Sequence, residues 1–78
     1  MLFRSKLTSE QKRKLAEIDE TYRAKVAERE TFLGSKIAAA QAGGAGEEAE
    51  ILQAELARDL RGIREEWETK KEKARASS

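Results

Sequence analysis

Acidic side chains at helical spacing are the first groups in this chain that could do chemistry: Glu17 with Glu20, Glu47 with Glu50, and Glu65 with Glu68. Carboxylates three residues apart share a helix face, and inward-facing glutamates hold a pair of metal ions in some helical bundles. Those centres also require a Glu-x-x-His element, and this chain has no histidine. It has no cysteine either. Lacking both, it has no thiolate nucleophile, no cysteine metal site and no histidine-based triad, and the commonest general base near neutral pH is missing. The acidic pairs are expected to be solvated surface. No enzymatic activity, no cofactor and no small-molecule substrate are expected.

Three further features are weighed on the same terms. The stretch Gln41-Ala42-Gly43-Gly44-Ala45-Gly46 is rich in glycine, but it follows no strand and precedes no Lys-Ser/Thr pair, so it is not a phosphate loop. Tyr22 and Trp67 read as a core pair rather than a platform on which bases stack. The basic residues are unevenly placed. Residues 1–14 carry net +4 from Arg4, Lys6, Lys12, Arg13 and Lys14 against Glu10, and residues 68–78 carry net +2 from Lys70, Lys71, Lys73 and Arg75 against Glu68 and Glu72. Such a cluster could meet the phosphates of RNA or DNA, or an anionic membrane, with Leu2 and Phe3 as an apolar wedge beside it.

These groups need elements to position them, and the composition points to helices. Charged residues make up 40% and aromatic residues 5% of the 78, and proline is absent, which leaves long helices uninterrupted. Thr8 is placed to cap a first helix, with Gln11 completing a capping box. Leu15, Ile18, Tyr22, Val26, Leu33 and Ile37 fall on one face of that helix. Leu15, Val26 and Ile37 recur every 11 residues, a period that predicts a nearly straight helix. A second helix is predicted from about Glu47, where acidic residues suit the positive end of the dipole, to about Arg75, where lysines suit the negative end. Its seam is Leu52, Leu56, Leu60, Ile63 and Trp67, extended by Ala49 and Ala74. The expected domain plan is one hairpin over residues 1–78: a first helix over about 8–42, a bend over 43–46, a second helix over about 47–75, and frayed termini.

Across an antiparallel hairpin, facing residues share a constant index sum. Ile37 with Leu52, Leu33 with Leu56, Val26 with Ile63, Tyr22 with Trp67 and Leu15 with Ala74 all give 89. The same sum sets Glu28 with Arg61, Arg23 with Glu66 and Asp19 with Lys70 as expected charge pairs. It also leaves two flaws, Arg29 opposite Leu60 and Ile18 opposite Lys71, which long aliphatic stems can tolerate; Arg29 could instead reach Asp59. The fold class expected is all-α, an antiparallel two-helix coiled-coil hairpin.

One seam between two helices leaves little margin over chain entropy, so a second layer is expected. Phe32 and Ile51 are expected beside the seam, Ala16, Ala27 and Ala38 form an 11-residue series of small residues, and Gly62 falls opposite Ala27. Two hairpins are expected to pack as a two-fold dimer, a four-helix bundle. In size and plan the chain resembles the Rop family, small hairpins that dimerise into four-helix bundles and bind paired RNA loops, although no residue motif carries the likeness. Leu7-Thr8-Ser9-Glu10-Gln11 resembles the Leu-Thr-x-x-Gln motif of the periplasmic Spy and CpxP proteins over those five residues, once, and reads better as an ordinary helix start. No apolar run approaches the roughly 20 residues that span a bilayer. Residues 1–7 are too short and too charged for a signal-peptide core, so the expected location is cytoplasmic. The functional expectation is a self-associating, non-enzymatic interaction module; the alternative is a binding module that uses the basic open end.

Overall fold

The computed structural model describes residues 7–76 and is built from two helices packed against each other, α1 over Ser9–Ala42 and α2 over Gly46–Ala76. Arg4 and Lys6 of the basic cluster, the adjoining Leu2 and Phe3, and the terminal Ser77 and Ser78 lie outside the described residues. The hairpin is 60 Å long and about 16 Å across. Among the described residues no helix is long and apolar enough to cross a membrane.

Local chemistry sets each helix end. The Thr8 side chain accepts from the Gln11 backbone N–H, and the Thr8 N–H donates to Gln11 Oε1, both at 3.0 Å. This reciprocal capping box satisfies two donors that the first turn of α1 would otherwise leave open. At the other end α1 closes in a Schellman motif: Gly44 N–H donates to the Gln41 carbonyl at 3.2 Å, and Ala45 N–H to the Ala40 carbonyl at 2.8 Å. The motif requires a left-handed residue, and Gly44 supplies it at φ +77°. Gly46, the last glycine of the bend, is already the first residue of α2. Glu47 and Glu48 in the first turn of α2, and Lys73 and Arg75 in its last, complement the helix dipole at both ends.

Gly44→Ala should therefore destabilise the hairpin by about 1–2 kcal/mol, the cost of holding an L-residue in the left-handed region. A Cβ at Gly44 would meet nothing within 4 Å, so the cost is one of backbone alone. Asn tolerates this region better, and Gly44→Asn should lose less. Urea titrations of the two variants would check the order.

The seam runs the length of the hairpin. Tyr22, Leu33, Ala49 and Ala74 are buried, and Leu33 is the most deeply placed at 2% exposed. Leu15, Ile18, Val26, Ile37, Leu52, Leu56, Leu60, Ile63 and Trp67 are half-buried around them. The Tyr22 and Trp67 rings stack with centroids 6.1 Å apart and planes 18° from parallel. Phe32 and Ile51, expected beside the seam, stand out from it at 51% and 67% exposed.

Two ion pairs mark the two flanks of the seam. On one flank Arg29 Nε and Nη2 both donate to Asp59 Oδ2, the first at 3.1 Å, so Arg29 turns away from Leu60 to a carboxylate one residue along. On the other, Lys71 Nζ lies 3.3 Å from Asp19 Oδ1, so the lysine level with Ile18 finds a carboxylate one residue along. Both pairs are partly open to solvent, so neither should contribute more than about 1 kcal/mol.

The three charge pairs expected from the index sum are not formed. Among the described residues Arg29–Asp59 and Asp19–Lys71 are the ion pairs present. The sum fixes the level of two residues along the hairpin, but not the side on which each projects. At 100° per residue, Arg23 lies one turn from Asp19 on its flank, while Glu66 lies two turns from Asp59 on the opposite flank. Glu28 and Arg61 are separated in the same way. Asp19 takes Lys71 rather than Lys70 because Lys70 points to the Arg29 flank.

Candidate functional site

The open end of the hairpin, where the described part of the basic cluster lies, is built on Gln11. Its Oε1 accepts in the capping box while its Nε2 donates to the carbonyls of Arg75 at 3.2 Å and Ala74 at 3.5 Å. One side chain thus satisfies the start of α1 and the end of α2. The capping motif was legible in the sequence, but its reach across 63 residues was not. Gln11→Glu keeps an acceptor for Thr8 and loses both donated bonds, placing a carboxylate against carbonyl oxygens. It should cost about 1 kcal/mol, and Gln11→Ala more, because Ala also removes the acceptor; thermal melts of both variants check this.

The basic side chains at this end do not form a single patch. Lys12, Arg13 and Lys14 are consecutive in α1, so they leave the helix 100° apart and point in three directions. Lys70 and Lys73 project to the Arg29–Asp59 flank, and Arg75 to the other. Lys71 is occupied by Asp19. The remaining six of these seven described residues are exposed.

Asp19 is held by both Trp67 and Lys71, and the sequence assigned it only a surface pairing. Trp67 Nε1–H donates to its Oδ1 at 2.8 Å. That hydrogen bond, ahead of partial burial that opposes it and of the Lys71 and Arg23 charges that assist it, holds the Asp19 carboxyl below its ordinary range. A carboxyl depressed in the folded state adds stability above its unfolded pKa and loses it as pH falls through the folded value. The difference in melting temperature between wild type and Asp19→Asn should therefore hold steady down to about pH 4 and close below it. A difference that widened in acid would refute the sign.

The side flanks differ in character. On the Asp19–Lys71 flank lie Ala16, Ala27 and Ala38, all exposed. Gly62 is level with Ala27 but projects to the opposite flank, and a Cβ on it would meet nothing within 4 Å. The two small residues therefore do not bring α1 and α2 together. On the Arg29–Asp59 flank, Phe32 is held between cations, with Lys36 Nζ 4.6 Å and the Arg29 guanidinium carbon 5.5 Å from its ring centroid. Lys25 Nζ lies 4.7 Å from the Tyr22 centroid on this flank too. Ile51 stands on the outer shoulder of α2, one turn before Glu55. Two surface concavities are each lined by one helix alone, one beside Phe32 and one beside Leu60, so tertiary packing closes neither. Among the described residues no group of three or more acidic side chains is placed to hold a metal ion.

The fold and its surface define a class, the antiparallel helical hairpin with a filled seam and two uncovered flanks. In comparisons with known proteins, no family model, no curated protein and no solved structure matches the chain.

Proposed function

We propose that the chain is a non-enzymatic protein-interaction module that self-associates through a side flank into a four-helix bundle, and so offers its remaining charged surface to another protein. The observation that carries this reading is the exposure of Phe32, at 51%, on the Arg29–Asp59 flank of a hairpin whose own seam is already occupied; Ile51, at 67%, is exposed on the outer shoulder of α2. Exposed large apolar groups on one face are what a partner surface covers. Area supports it as well. α1 has 34 residues, about 51 Å of helix at 1.5 Å per residue. With a width of 16 Å, one flank offers on the order of 800 Å², which is what each partner contributes to a standard interface.

Sedimentation equilibrium tests the reading directly. A dimer at concentrations of tens of micromolar is expected. A monomer throughout that range would remove it.

A further inference from the structure

We propose that the second copy covers the Arg29–Asp59 flank, with α1 of each chain lying on α2 of the other and the two bends at the same end of the bundle. The inference rests on the self-association reading above and gives that bundle its geometry.

The two helices bring unlike charges to this flank. Residues 4, 7 or 11 positions apart return to nearly the same side of a helix. Lys25 and Lys36 stand 4 before and 7 after Arg29, so α1 presents a basic row beside Phe32, with Glu28 at its outer edge. Glu48, Glu55 and Glu66 stand 11 before, 4 before and 7 after Asp59, so α2 presents an acidic row over 48–66, with Lys70 and Lys73 following on the same flank toward the open end. Lys25, Lys36, Glu48, Glu55 and Glu66 are all exposed, and among the described residues none of them joins an ion pair. The lysine ammonium groups rest instead over the Tyr22 and Phe32 rings.

Two hairpins can meet on this flank with two-fold symmetry in two ways. If the axis runs across the helices, α1 lies on α1 and α2 on α2, and basic meets basic and acidic meets acidic. If the axis runs along the helices, α1 lies on α2 at both new seams and unlike charges meet. The second arrangement keeps the two bends together, whereas the first sets them at opposite ends; neighbouring helices are antiparallel in both. It also matches in level, since Lys25 with Glu66 and Lys36 with Glu55 share one index sum, 91, two from the sum of the stacked pair Tyr22 and Trp67. Phe32 then arrives near the level of Ala57, and Ala39 near that of Ile51. Like charges facing each other disfavour the first arrangement, and this discrimination is what complementary rows provide.

Two sets of variants test the face and a label tests the arrangement. Lys25→Glu with Lys36→Glu makes both rows acidic, and Glu55→Lys with Glu66→Lys makes both basic. Each reverses two contacts at each of two seams, so each should weaken self-association by about tenfold or more in sedimentation. Mixing the two variants should restore it. Far-UV circular dichroism checks that each variant keeps its helix content. Ala42→Cys, beside the bend and away from both flanks, gives a single spin-label site in a chain without cysteine. Labels in a dimer should lie roughly 20–30 Å apart, within a few helix diameters. A separation near the 60 Å length of the hairpin would overturn the arrangement. A dimer indifferent to both charge variants would overturn the face while leaving self-association intact. A monomeric parent chain would overturn the reading beneath both. Should a charge variant lose its helices, the label distance in the otherwise unaltered chain still decides the arrangement.

Discussion

Trp67→Ala should destabilise the hairpin by about 3–5 kcal/mol, the range for removing a large aromatic side chain from a packed position. The indole does two things at once. Its ring stacks on Tyr22 at 6.1 Å, and its Nε1–H holds the Asp19 carboxylate at 2.8 Å. A chain of this length rarely has more than about 3–5 kcal/mol to lose, so the variant should be largely unfolded at 25 °C by circular dichroism. Trp67→Phe separates the two roles. It keeps a ring for Tyr22 and removes the donor, so it should retain the fold and shift the acid sensitivity assigned to Asp19. A double-mutant cycle with Tyr22→Phe and Trp67→Leu should leave only a small coupling, because the Tyr22 ring survives in Phe; with Tyr22→Leu the coupling should be about 0.5–1.5 kcal/mol beyond area burial. Melts of Trp67→Ala that overlaid the parent would remove the stacked pair from the account of stability.

Leu33→Ala is the second large effect, expected at about 2–5 kcal/mol. Leu33 is the most buried side chain described, at 2% exposed, and it lies toward the bend, far from Trp67. The distance makes the pair informative. With no shared partners the two losses should add, whereas a cavity that collapsed locally at Leu33 would bring its cost to the low end of the range. Phe32→Ala, on the adjacent residue, should change the stability of the isolated hairpin far less, because half of that side chain is already in solvent. Thermal melts of the two alanine variants at concentrations low enough to keep the chain monomeric compare seam with flank directly.

Much of the fold was legible because it rests on short-range patterns. The capping box at Thr8 and Gln11, the glycines that close α1, and the apolar stripes of both helices are each written within a few residues. Even the pairing of Tyr22 with Trp67 followed from one number, the index sum of 89, because both helices rise evenly along a common axis. The open end was less legible: net charge takes Lys12, Arg13 and Lys14 together, although neighbours on a helix diverge by 100°, and takes in Lys71, which Asp19 holds.

By itself, then, the sequence determined two helices, their limits to within a residue or so, and the level at which each residue of one meets the other. Those depend on hydrogen bonds and periodicities that repeat every few positions. Only the tertiary structure decided on which side of the seam each residue stands. Glu28 and Arg61, Arg23 and Glu66, and Gly62 and Ala27 are level with one another and face apart. Rotation about a helix axis is fixed by how the apolar stripes of two helices seat together, a contact between distant parts of the chain that no local pattern records. The same rotation sets Phe32, Lys25 and Lys36 of α1 and Glu48, Glu55 and Glu66 of α2 on one flank.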